Sequence, residues 1–317
     1  VVKTNEASVM NAIDPSVMAD PVTGKWWMHY GSFFGGLYCV ELDPETGLPA
    51  EEGDQGHLTA RRANYQKDNL EAPEIIYNPD LKQYYLFVSY DPLMTTYNVR
   101  VGRSDKAEGP FVDFSGVELK DTTNNFPILT APYRFHNHPG WAGTAHCSVF
   151  TSDEGQYFMA HQGRLSPHNQ MMDLHLRQVF FTPDGWPVVS PERYTGCVSR
   201  KFSAEDMAGE WEVIRIQEPA YERRLQAGQI LWGEGQLKEE EWNVSHLLSL
   251  EKNGNLGENK GTWELLEAKQ LLSLTLEGEI INNLIIFAGH DWENEKETVL
   301  FTGLDSCGRS IWGKRIK

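Results

Sequence analysis

A chain of 317 residues has room for two ordinary domains or one large all-β domain, and at 40% hydrophobic and 23% charged it can fill real cores. Its formal charge of −17 works against a polyanionic partner, since nucleic-acid binding depends on clustered lysine and arginine. No apolar run approaches the roughly 20 residues of a membrane helix, so neither nucleic acid nor membrane is an expected partner.

The opening Val1-Val2-Lys3-Thr4 reads as a strand, and no charged region followed by an apolar stretch marks a signal peptide. Three similar units follow. The first runs Asp14-Pro15-Ser16-Val17-Met18, a turn at Asp20-Pro21 to Gly24, Trp26 to Ser32, then Gly36 to Val40. The second runs Glu71-Ala72-Pro73-Glu74-Ile75-Ile76, a turn at Asn78-Pro79-Asp80, Tyr84 to Ser89, then Asn98 to Gly102. The third runs His146 to Phe150, a turn at Asp153-Glu154-Gly155, Tyr157 to Ala160, then Leu174 to Val179. Each is a strand, a tight turn, an aromatic-rich strand, a loop and a third strand. Repetition at about 55–75 residues is the pattern of propeller blades, because a lone sheet cannot bury both faces. The first position of each unit holds Asp14, Glu71 and His146, which a propeller would bring together at one end of its channel. Acidic residues also cap turns before strands, and that is the structural alternative.

Closed propellers need at least four blades, and about three fit within residues 1–204. From Gly209-Glu210-Trp211 onward a new series of short alternating strands begins, through Ser245–Leu250 and Thr298–Thr302 to Ser310–Lys314. Residues 205–317 therefore read as an antiparallel β-barrel or sandwich domain. The fold class is all-β. Cys39, Cys147, Cys197 and Cys307 are widely spaced with no CxxC, and read as free, mostly buried thiols that leave the compartment open.

Asn11-Ala12-Ile13-Asp14-Pro15, Tyr30 to Gly36, Glu71-Ala72-Pro73 and Asn98 to Ser104 resemble glycoside hydrolase family 43, and within it the endo-α-1,5-L-arabinanases. Gly143 to Phe150, Arg177 to Phe180 and Gly185-Trp186-Pro187 extend the resemblance, and the tail ending Trp312-Gly313-Lys314 is similar to the extra barrel of two-domain arabinanases. The resemblance implies a five-bladed β-propeller, inversion at the anomeric carbon and three carboxylates. Glu71 would be the general acid and Asp14 the carboxylate that raises the acid's pKa. An inverting hydrolase pairs a protonated carboxyl with an ionised one roughly 6.5–9.5 Å away, leaving room for water, and a third carboxylate keeps the acid protonated. The family's base, an Asp usually following a His, has no counterpart before Asn11, and Asp20 belongs to a turn. Glu74 is the rival acid, expected to alternate along the strand to another face.

By the same resemblance His146 would hold one largely water-coordinated cation at the propeller centre, calcium or else sodium; calcium normally wants six to eight oxygens. The alternative is a buried, hydrogen-bonded histidine. Asn11, Ser32, Phe33, Phe34 and Trp141 are candidates for the sugar subsites, the aromatics being equally suited to packing. His136-Asn137-His138 lacks a nearby third zinc ligand. Asn243-Val244-Ser245 matches a glycosylation sequon, and Glu239-Glu240-Glu241 reads as a solvated acidic turn.

The expected activity is hydrolysis of internal α-1,5-L-arabinofuranosidic bonds of plant arabinan by a secreted or periplasmic enzyme. An N-terminal polypeptide fragment would supply the remaining blades and the base, and this chain alone would be inactive and poorly folded. The alternatives are an exo-acting arabinofuranosidase or β-xylosidase of the same family, and a non-catalytic glycan-binding propeller.

Overall fold

The computed structural model describes residues 2–4, 10–62, 69–121, 126–168, 170–198, 200–218, 237–276 and 278–317. Three antiparallel meanders come first. One joins β1 (Ser16–Ala19), β2 (Trp26–Tyr30), β3 (Leu37–Leu42) and β4 (His57–Ala60) in sequence order. The next joins β5 (Leu70–Asn78), β6 (Gln83–Tyr90), β7 (Asn98–Ser104) and β8 (Ile128–Thr130). After the short β9 (Tyr133–Arg134) and β10 (Trp141–Ala142), the third joins β11 (Ser148–Thr151), β12 (Tyr157–Leu165), β13 (Asp173–Phe181) and β14 (Pro187–Val189). The far end of β12 also pairs with β10, which continues through β9.

The turns form where the sequence places short polar side chains. Asp20 Oδ1 accepts the Val22 amide at 2.9 Å, and Asn78 Oδ1 accepts the amides of Asp80 and Leu81 at 3.0 and 3.1 Å. The aromatic strands then sort their side chains by the two-residue period. On β6, Tyr84, Leu86, Val88 and Tyr90 join Trp27, Leu37 and Cys39 of the first sheet. Tyr85 and Phe87 face the other way and join Val149 and Met159 of the third. The middle sheet is thus buried on both faces, and its strand reads as a nearly continuous apolar run.

A four-residue helix α1 (Ala204–Met207), closed by a Ser203–Asp206 capping box, leads into the second half. Here β15 (Gly209–Arg215), β17 (His246–Leu250), β18 (Asn255–Leu256), β19 (Gly261–Leu266), β20 (Leu271–Leu276), β21 (Glu279–Asp291), β22 (Lys296–Leu304) and β23 (Ser310–Arg315) form a closed barrel. β23 pairs back onto β15 and leaves no free edge in that sheet. Between the expected alternatives of barrel and sandwich, the barrel is found. β16 (Asn243–Val244) leaves it to pair in parallel with β9. Ile214, Ile216 and Trp312 of the barrel share one core with Tyr133, Phe135 and Trp141, so the two halves pack as one body there.

Several expectations change. Residues 2–4 form no strand, and the Thr4 hydroxyl instead accepts the Ala12 amide at 2.6 Å. Asn243 of the sequon is buried: its Nδ2 donates to Pro132 O at 2.8 Å and its Oδ1 accepts the Gln217 amide at 2.7 Å. That side chain is committed to packing, closed to a glycosyltransferase. In the acidic triplet Glu241 is buried and accepts the Lys238 amide, while Glu239 pairs with Arg134 at 3.0 Å, so the turn is only partly solvated. The cysteines are free, with Cys39 and Cys147 buried, Cys197 half-buried and Cys307 exposed. Among the described residues no helix is long and apolar enough to cross a membrane.

Candidate active site

The first strands β1, β5 and β11 of the three meanders neighbour one another, β5 lying between the other two. Each has a left-handed residue near its start: Asp14 at φ 53° just before β1, Ala72 at φ 51° within β5 and His146 at φ 55° just before β11. The matching residue of the second unit is therefore Ala72, one beyond the Glu71 that the sequence repeat aligned. A register shift between Glu71 and Glu74 accompanies this kink in β5. Asp14 and His146 stand close enough to interact electrostatically, and the Ala72 amide donates to the Asp14 carboxylate. Burial raises the Asp14 carboxyl above the usual range, against the lowering influence of His146 and that amide.

Glu71 is fixed from two sides. Ser32 Oγ donates to its Oε2 at 2.9 Å, and the Tyr97 hydroxyl donates to its Oε1. The same Tyr97 oxygen lies 3.3 Å from His146 Nδ1, and Ser89 Oγ accepts the His146 amide at 2.8 Å. Glu71, Asp14 and His146 thus meet around one buried phenol. Tyr97 and Ser89 carry no repeat signal in the sequence; they reach the site only because β6 and β7 pair beside β5.

The proposed subsite residues divide. Phe33 and Phe34 occupy a loop beside the acid, the Phe33 amide donating to Leu70 O at 2.8 Å and Phe34 being 52% exposed. Asn11 lies half-buried in the turn before Asp14, its carbonyl accepting the Ile13 amide at 3.0 Å. Ser32 is corrected: at 6% exposed, with its hydroxyl hydrogen given to Glu71, it backs the acid instead of meeting a sugar. Trp141 is corrected too. It is 5% exposed, with His138 stacked at 5.7 Å, His175 edge-on at 4.4 Å and the Arg193 guanidinium 5.2 Å from its ring centre. No open face remains for stacking on a sugar.

His146 is exposed, contrary to the buried alternative, and shares an open cavity of about 560 Å³ with Asp14 and Glu74. An accessible imidazole near carboxylates, with space for water, suits a hydrated cation. His138, of the histidine pair, accepts the Gly140 amide on Nδ1 at 3.0 Å. Glu192, Asp291 and Glu293 have metal-ligand spacing elsewhere, but the Lys314 ammonium sits among them, 2.8 Å from Glu192 and 3.0 Å from Asp291. Glu74 does not face away from the channel as strand alternation predicts, because the β5 kink turns it back towards Asp14 and His146.

Ionisable residues presented by successive sheets at a shared axis, with an eight-stranded barrel appended, define a two-part all-β chain of the propeller class. It belongs to the glycosyl hydrolases family 43, whose profile matches residues 2–187, and the profile of the C-terminal lipocalin-like domain of that family matches residues 191–313. It is similar to the extracellular endo-α-(1→5)-L-arabinanase 2 of Bacillus subtilis, 27% identical over 96% of this chain and 64% of the relative. The extracellular endo-α-(1→5)-L-arabinanase of Thermotoga petrophila is 30% identical over 97% of this chain and again 64% of the relative. The chain therefore spans less than two thirds of the length of either. The solved structure of the endo-1,5-α-L-arabinanase from Thermotoga petrophila superposes with a TM-score of 0.82 at 27% identity, covering 99% of this chain and 69% of that one. An extracellular exo-α-(1→5)-L-arabinofuranosidase of Cellvibrio japonicus is 28% identical over 62% of this chain and 57% of its own length.

Proposed function

We propose that this chain carries the acid side of the active site of a secreted, inverting endo-α-1,5-L-arabinanase. The observation that carries the reading is the carboxylate of Glu71, aimed by Ser32 and Tyr97 at the axis where Asp14 and His146 also stand. The extracellular endo-arabinanases of Bacillus subtilis and Thermotoga petrophila, to which the chain is similar along nearly its whole length, support the same substrate and compartment.

In this reading Glu71 protonates the leaving oxygen as the glycosidic bond breaks. Asp14 orients the sugar, while a base aspartate on the opposite face activates water. Phe34, exposed beside the acid, offers a ring for stacking on the sugar. A cation, calcium or sodium, would be held on the His146 imidazole and completed by water; it would supply fixed positive charge at the axis.

A companion polypeptide would supply the base and the remaining sheets. The outward faces of the first and third sheets support this, since Val17 is 49% and Leu174 is 79% exposed, beside exposed Phe150 and Met172. Apolar faces of that kind are normally covered. The second reading is a non-catalytic glycan-binding propeller, in which Glu71 would only bind sugar.

The test is hydrolysis of linear arabinan by this chain combined with its N-terminal partner. Mixed oligosaccharides from the earliest time points are expected; monomer alone would point to exo action, and binding without turnover to the glycan-binding reading. Glu71→Gln should lower kcat by about 10²–10⁴-fold with substrate binding retained.

A further inference from the structure

β1 pairs with β2, β5 with β6 and β11 with β12. The three axial strands thus belong to different sheets, so no ladder joins them and side chains can contribute to their spacing. Glu74 bridges them. Its Oε2 accepts Ser16 Oγ of β1 at 2.8 Å, and its Oε1 accepts Ser148 Oγ and the Val149 amide of β11 at 2.9 and 3.0 Å. Ser16 Oγ in turn accepts the Ile75 amide at 3.2 Å, closing the link back onto β5.

These residues occupy one layer. Ser16, Glu74 and Ser148 each lie two positions after the left-handed residues Asp14, Ala72 and His146. The pairings agree, with Val17 opposite Met28, Ile75 opposite Leu86 and Val149 opposite Met159. The Glu74 layer is therefore the floor directly beneath Asp14 and His146, and both layers line the same cavity. Hydrogen bonds to a carboxylate are stronger than neutral ones, so this one residue holds two neighbouring strands against its own.

We propose that Glu74 is a positioning residue: by bridging Ser16 and Ser148 it sets where Asp14 and His146 stand relative to Glu71, and with that the geometry of the hydrolytic site. Its consequence for catalysis rests on the function proposed above; its effect on strand spacing does not. A cross-link of purely structural value would change stability alone, whereas misplacement of about 1 Å in a reacting group can cost about 10²-fold in rate.

Crystal structures of Glu74→Ala and Glu74→Gln in the full chain, with arabinan kinetics in the presence of the N-terminal partner, test it. In Glu74→Ala, β1 and β11 should move away from β5, the Asp14–Ala72 contact should open, and kcat should fall about 10²-fold with KM within about threefold. The glutamine amide accepts from one serine and donates to the other, so Glu74→Gln should hold the strands and keep kcat within about fivefold. Unmoved strands in Glu74→Ala, or a glutamine variant as impaired as the alanine one, would overturn the proposal. If Glu74→Ala does not fold, Ser16→Ala with Ser148→Ala removes the two hydroxyl donors and reads the same displacement. Wild-type protein that leaves arabinan intact would sink the function, and the strand positions would still decide the clamp.

Discussion

Burial, and then the charge of Glu71, pushes the Tyr97 phenol well above its ordinary range, so it stays a protonated donor wherever the protein works. Tyr97→Phe removes one of the two bonds that aim the Glu71 carboxylate and leaves the ring packed. If Glu71 is the acid proposed above, kcat on arabinan should fall about tenfold and KM stay within about twofold, because the aim of an acid matters in the transition state. An unchanged kcat would make Tyr97 a packing residue. Asp14, Glu71 and His146 are legible as a set in the sequence because each opens a similar unit. The one-residue offset at Glu71 is not legible, because it depends on the left-handed Ala72, a conformation alanine rarely adopts. Trp141 and Ser32 misled for a related reason: residue type suggests a sugar contact, while burial is decided by strands far away in sequence.

The loop that carries Phe33 and Phe34 makes one sharp backbone demand at Gly36. Gly36 has φ +93°, and a Cβ there would lie 2.4 Å from Ala60 O on β4. Gly36→Ala should cost about 1–3 kcal/mol in urea unfolding through strain in that region of φ. It should also displace the Phe33–Phe34 turn, read as weaker arabino-oligosaccharide binding in calorimetry. Unaltered stability would show that the β2–β3 loop and the end of β4 absorb the change. The three strands of each meander can be read from the alternation of aromatic residues with turn residues. The fourth strands, His57–Ala60, Ile128–Thr130 and Pro187–Val189, are three or four residues long and too short to show a period. β16 is harder still, a two-residue strand whose partner, β9, lies in the other half of the chain.

At the scale of the whole molecule, the contact between the barrel and the sheets turns on Lys314. Its ammonium is fully buried among Glu192, Glu293 and Asp291, with Glu212 at 3.8 Å and the Phe135 ring centre at 3.9 Å. Glu192 leaves the last propeller strand, while the other carboxylates belong to the barrel side, so the cluster pins the connection between the halves. Lys314→Met should destabilise by about 3–5 kcal/mol, because it strands several buried carboxylates without their cation. The pH dependence is more discriminating. Burial first, and then the neighbouring Glu293, pushes Glu192 up to about 8 against the lowering pull of Lys314. A glutamate in the unfolded chain titrates near 4.3. Between those values the folded protein keeps a proton that the unfolded chain has released, so stability from Glu192 is present at low pH and falls as pH rises towards about 8. Buried His29 and His161 run the other way: burial pushes them down to about 4 and about 3, and their stability is fully present above about 6.5 and lost on acidification. Above about 6.5 the histidine contribution is flat, and Glu192 acts there in the same direction as the other carboxyls that burial raises, Asp14, Glu212 and Glu218. The urea midpoint of the wild-type protein should therefore decline from pH 6.5 to pH 8. Glu192→Gln keeps a neutral side chain of the same shape and should flatten that decline. A midpoint as steep in the variant as in the wild type would assign the alkaline loss to another group.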